Sequence, residues 1–126
     1  MADPDEDDAE EIIYHGTSVT IANKIFAAKR FDERETFFAS VKDLAFYFAD
    51  RTIKKSGRTG ITAILKIGLY RSDLNNWRTS RLVQSRPFDE GDAGELRGKT
   101  QLIFNGEAIR FLNAYSFKDD WQVEVR

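Results

Sequence analysis

Cysteine is missing altogether from the 126 residues, and histidine occurs once. Without thiols there is no disulfide framework and no thiolate zinc site, and a single imidazole argues against a histidine-based metal centre. Long apolar runs are missing too. Nothing approaches the roughly 20 residues that cross a bilayer, and the opening stretch MADPDEDDAEE is acidic where a signal peptide would be basic. The Gly-Thr-Ser run at residues 16–18 is not the Gly-x-Ser-x-Gly elbow of a serine hydrolase. No glycine-rich segment fits a phosphate cradle or a dinucleotide fingerprint, and no feature singles out the carboxylate pair of a glycosidase.

What is present suits one soluble globular domain. Hydrophobic residues make up 41% and aromatics 13%, enough for a single core but not for two. The net charge of −2 hides an asymmetry. Acid is concentrated in residues 1–11, read as a solvated, flexible leader ahead of a domain at 12–126. Lys54, Lys55, Arg58, Arg71, Arg78, Arg81, Arg86 and Arg97 make the middle basic, which fits either a phosphate-bearing partner or a scattered solvated surface.

The pattern predicts an α+β domain with mixed short strands and two helices in the N-terminal half, around a small split or half-barrel sheet. A strand at residues 12–15 leads into a helix capped by Thr17 or Ser18 and running to about Lys29, with Val19, Ala22, Ile25 and Phe26 on its buried face. A strand centred on Phe37 and Phe38 follows. Ser40 and Asp43 resemble a capping box for the helix VKDLAFYFADRT, with Leu44, Tyr47 and Phe48 on one face. Residues 61–70 form a central strand, residues 71–77 a turn or short helix, and residues 81–85 another strand. The glycine- and charge-rich stretch 86–99 reads as a long loop, of a kind often functional. TQLIFN, GEAIRFL and WQVEV close the chain as strand, helical turn and strand.

The chemistry gathers at YHGTS, residues 14–18. His15 ends a strand, Gly16 lets a ligand approach the backbone, and Thr17-Ser18 opens a helix whose first N–H groups are free; together these make a polar notch. Phe37, Phe38, Phe46, Tyr47 and Phe48 crowd into 12 residues. Most must pack in the core, but one or more is expected to line a cleft and stack on a flat ring.

YHGTS, then TFFASVKDLAFYFA, then TQLIFNGEAIRFL resemble, in order, the three motifs of the diphtheria-toxin/PARP-like ADP-ribosyltransferase superfamily, of the His-Tyr-Glu type, across residues 12–112. The resemblance implies a split, mostly antiparallel sheet with a cleft for NAD as substrate. By it, His15 bonds the adenine-side ribose, Gly16 holds the nicotinamide carboxamide, Phe37 and Tyr47 flank the nicotinamide ring, and Thr17 and Ser40 complete the cofactor-binding set. The catalytic residues it implies are His15, Tyr47 and Gln101. Phe37 stands where a tyrosine is common. Gln101, or Thr100 beside it, stands where the family has a glutamate that stabilises charge at the anomeric carbon, a loss worth about 10²–10³ in rate. Glu95 and Glu107 are the acids nearest in sequence, and Glu124 is a weaker candidate.

The expected activity is therefore ADP-ribosyl transfer from NAD to a macromolecular acceptor, protein ahead of nucleic acid, with nicotinamide released. This is a transferase of the glycosyltransferase class, suited to a bacterial or phage effector or toxin. The alternatives are an NAD- or ADP-ribose-binding module without turnover and an RNA-directed 2′-phosphotransferase-like relative. A monomer acting in the cytoplasm, its own or a target cell's, with no membrane association and with an inhibitor or immunity protein as a further partner, completes the expectation.

Overall fold

The computed structural model of the protein describes residues 10–55, 60–89, 94–115 and 120–126. Residues 1–9 of the acidic leader, Arg58 of the basic middle and the middle of the loop at 86–99 lie outside them. The described residues form six strands, β1 (Glu10–Ser18), β2 (Thr36–Ala39), β3 (Thr62–Tyr70), β4 (Val83–Pro87), β5 (Thr100–Phe104) and β6 (Gln122–Val125). Four helices accompany them: α1 (Val19–Ala28), α2 (Lys42–Lys55), α3 (Arg71–Thr79) and α4 (Gly106–Asn113). The fold is α+β, as the pattern predicts. Two helices beyond the expected pair stand at residues written above as a turn or short helix and a helical turn.

All pairings are antiparallel, in the order β4-β5-β2-β1-β3-β6. β1 and β3 pair over their full nine-residue lengths, from Glu10↔Tyr70 to Ser18↔Thr62. By contrast β1 meets β2 at one register pair, Tyr14↔Ala39. The sheet is thus two halves, β6-β3-β1 and β2-β5-β4, joined at a single point.

β1 begins two residues earlier than expected, at Glu10, because Glu10 and Glu11 pair with β3 and the Glu11 carboxylate meets Arg71 Nε at 3.1 Å. Strand alternation sorts the core into two layers. On one face Ile13, Phe38, Leu65, Ile67, Leu102 and Phe104 pack with Leu74 of α3 and Ala108, Ile109 and Leu112 of α4, and Ile25 and Phe26 of α1 close against them. On the other face α2 contributes Leu44, Ala45, Phe46 and Phe48, which pack on Ala39, Ile64 and Phe88.

Local chemistry sets the helix starts. Ser18 caps α1, its Oγ accepting from Ile21 N at 3.2 Å, and Asn105 caps α4, its Oδ1 accepting from Ala108 N at 2.8 Å. α2 starts at Lys42, and the Ser40 N–H donates to the Thr100 carbonyl at 3.0 Å, tying the end of β2 to β5. Gly16 makes the seat for α2. A Cβ there would overlap the Ala45 carbonyl oxygen and lie 2.7 Å from Ala45 C and 3.0 Å from Ala49 N. The helix backbone therefore rests directly on β1, with the alanines four apart on the contact stripe.

Candidate functional site

Where the two half-sheets part, a cleft of about 770 Å³ opens between the C-terminal half of β1, the start of β2, α1 and α2. His15, Gly16 and Thr17 form its β1 wall, and Thr36 and Phe37 its β2 wall. Phe48, Arg51 and Thr52 reach it from α2 at helical spacing, and Ile21, Lys24 and Ile25 from α1. Four cations, Lys24, Arg30, Arg34 and Arg51, line it against two carboxylates, Asp32 and Glu35, so the lining carries an excess of positive charge. Phe37 is 40% exposed, a large ring left open to solvent at the cleft wall.

His15 bridges the gap between the halves. Its Nδ1 lies 2.9 Å from the Phe37 carbonyl oxygen, and since a carbonyl only accepts, Nδ1 carries the hydrogen. Phe31 meets the imidazole edge-on at 5.3 Å and Phe38 lies at 5.4 Å. Burial pushes the imidazole below its ordinary value of 6.5; the Phe37 carbonyl opposes that shift and the Arg34 guanidinium adds to it. At neutral pH the ring is therefore neutral, and Nε2 keeps a lone pair with the capacity to accept a hydrogen bond.

This has a consequence for stability. Because the folded state holds a proton on His15 less readily than the unfolded chain, the contribution of His15 is complete above pH 6.5 and is lost as pH falls towards the lower folded value. Urea midpoints are expected to fall between about pH 7.5 and 5, and His15→Gln to flatten the slope in that window. A parental slope in the variant would mean that other groups carry it.

The cleft brings together His15, Gly16, Thr17 and Phe37 of the residues singled out in the sequence. It does not bring in Tyr47, Ser40 or Gln101. Tyr47 turns to the flank of α2, where its ring meets Phe88 at 5.4 Å and Phe48 at 6.4 Å. The next residue on the helix, Phe48, takes the place in the cleft wall. Ser40 is exposed beyond the end of β2, where the chain turns into α2. Gln101 is 6% exposed and sits opposite Ala39, on the sheet face shared with Phe37 but one step further along β5. The β5 residue beside Phe37 is the apolar Ile103, so β5 carries no carboxylate into the cleft.

None of the other candidate acids lines the cleft. Glu95 is exposed in a short 3-10 turn at Gly94–Leu96, and Glu107 is exposed in the first turn of α4. Glu124 is held by Lys42 Nζ at 3.0 Å, and that contact in turn raises the lysine's pKa. Thr100 lies at the β4–β5 pairing, opposite Pro87.

From sequence, Phe48 falls among the packed aromatics rather than in the cleft, and the four cations are not singled out. One signal for Phe48 was available: Ala45 and Ala49 mark the stripe of closest approach, and Phe48 and Thr52 form the adjoining stripe. The cations come from separate segments and carry no shared spacing. Among the described residues no group of three or more histidine, cysteine, aspartate or glutamate side chains is placed to hold a metal ion. No described helix is long and apolar enough to cross a membrane. Comparison with family models, with curated proteins and with solved structures returns no match to this chain.

Proposed function

We propose that the cleft binds NAD, and that the domain is a dinucleotide-binding module of the ADP-ribosyltransferase kind. One observation carries the reading. A neutral histidine acceptor, a glycine backbone, three phenylalanine rings and an excess of cations meet in one cleft of about 770 Å³, within the usual range of small-molecule sites. Each part has a counterpart on the ligand. His15 Nε2 accepts from a ribose hydroxyl, Phe37 flanks the nicotinamide ring with the edge of the buried Phe48 beneath it, and Arg34 and Arg51 face the pyrophosphate. The motif order in YHGTS, TFFASVKDLAFYFA and TQLIFNGEAIRFL supports the same assignment.

Turnover is the second reading, and Glu35 favours it. In transfer, the bond from the anomeric carbon to the nicotinamide nitrogen breaks, nicotinamide leaves with the electron pair, and an acceptor atom bonds to the carbon and gives up its proton. The positive charge developing on the ribose needs an anion nearby. β5 offers none, but Glu35, immediately before β2, lines the cleft.

The test separates the two. NAD at about 100 times its Kd is expected to stabilise the protein by about 2.7 kcal/mol, read as a raised unfolding midpoint, and His15→Gln to abolish the shift. Nicotinamide release that disappears in Glu35→Gln establishes turnover; binding without release leaves the module. If NAD leaves the midpoint unmoved, the proposal fails.

A further inference from the structure

A second groove, of about 630 Å³, lies on the β4 side of the sheet. Arg78 and Arg81 supply its positive charge against the one carboxylate of Glu35; Gln84 and Asn105 supply its amides, and Leu82, Val83 and Ile103 its apolar lining. Glu35 borders both this groove and the cleft, so the two are neighbours across one side chain.

Two features of the arginines call for a ligand. Arg78 spends one terminal nitrogen on Asn75 Oδ1 at 2.9 Å, while its Nε is buried without a hydrogen-bond partner. A buried guanidinium N–H left unpaired is costly, and the groove offers an anion the terminal nitrogens of the same group, where a charge-assisted bond forms. Arg81 stands in the left-handed region, at φ 63°. It occupies the turn that ends α3, where Leu82 N donates to the Trp77 carbonyl at 2.8 Å and Arg81 N to the Arg78 carbonyl at 3.0 Å. This is the helix-ending turn in which glycine is unstrained. An arginine there brings strain to the fold and a guanidinium to the groove.

We propose that this groove binds a nucleoside monophosphate unit, free or at the end of a polynucleotide, independently of whether the cleft holds NAD. The phosphate takes the Arg78 and Arg81 guanidinium groups. The amides of Gln84 and Asn105 meet the edge of the base, with Asn105 Nδ2 still able to donate because its Oδ1 is committed to the α4 cap. Ile103, which shares its sheet face with Gln84, lies beneath the base or sugar.

Calorimetric titration tests this with AMP, UMP, inorganic phosphate and a 5′-phosphorylated single-stranded octanucleotide. The monophosphates are expected to bind more tightly than inorganic phosphate. Arg78→Gln and Arg81→Gly are each expected to weaken binding about tenfold or more, as the loss of a charge-assisted contact does. Arg81→Gly is also expected to raise the unfolding midpoint, which separates its role in binding from any role in folding. Arg71→Gln, at the far end of α3, should leave binding unchanged. Tighter binding of the octanucleotide identifies a strand end as the source, and equal binding a free nucleotide. Absence of binding, equal losses in Arg71→Gln, or displacement of the monophosphate by NAD together with loss of its binding in His15→Gln overturns the proposal.

Discussion

Gly16→Ala is expected to lower the stability of the protein by about 3 kcal/mol or more, at the upper end of what overpacking costs. The added methyl meets no flexible side chain. It meets the Ala45 carbonyl oxygen and the Ala49 amide, both part of the α2 backbone. Relief requires the helix to lift off β1, which also parts Phe48 and Arg51 from the opposite wall of the cleft. With typical domains stable by only about 5–15 kcal/mol, such a loss is a large share of the total. Urea unfolding measures it, with Gly60→Ala as the companion. There the nearest atom to the new methyl is Ile53 Cδ1 at 3.8 Å, an ordinary contact, and the change should stay within about 1 kcal/mol. An unshifted midpoint in Gly16→Ala would show that α2 does not rest on β1.

The adjacent residues Phe37 and Phe38 should respond in opposite ways. Phe38 is fully buried, with Phe104, Phe31 and His15 around it at 4.6, 5.4 and 5.4 Å. Phe38→Ala is expected to cost about 3–5 kcal/mol, the usual range for emptying a phenylalanine site in a core. Phe37 points to the other side of β2 and is 40% exposed at the cleft. Phe37→Ala should change stability by less than about 1 kcal/mol. It should weaken NAD binding up to about tenfold, the equivalent of one lost ring stack. Denaturation midpoints and NAD titrations on the two variants give the contrast directly. Equal effects of both on stability, with no change in affinity for Phe37→Ala, would remove Phe37 from the site.

Strand existence was legible wherever apolar or β-branched residues ran between turn signals, as at residues 61–70, where β3 forms from Thr62 to Tyr70. The capped start of α1 was legible because Ser18 acts locally, on the N–H three residues ahead. α3 was harder to read. Its preceding residue, Tyr70, provides no side-chain cap, and Leu74 is its one buried residue, so nine residues left little periodicity to detect.

The cleft lining was legible in its β1 and β2 parts, because His15, Gly16 and Phe37 depend on short-range features: a strand end, a glycine and an aromatic pair. The α2 part was not. Whether Tyr47 or Phe48 faces the cleft is decided by the rotation of the helix about its axis. That rotation is set by the contact of Gly16 with Ala45 and Ala49, about thirty positions away in sequence. Gln101 illustrates the same limit. Alternation places it on a sheet face, but its distance along β5 from the cleft follows from the β2–β5 register, Ala39↔Gln101 and Phe37↔Ile103.

The single-point seam between the half-sheets has one more effect. From His15 to Ser18, β1 pairs with β3 on one flank and with no described strand on the other. A row of main-chain donors and acceptors therefore faces the recess, much as on an outermost strand, where it would invite another polypeptide to join. Here α2 and the approach to β2 flank the row on the cleft side. Set inside a recess rather than along an open margin, these groups are less accessible to another polypeptide than those of an outermost strand.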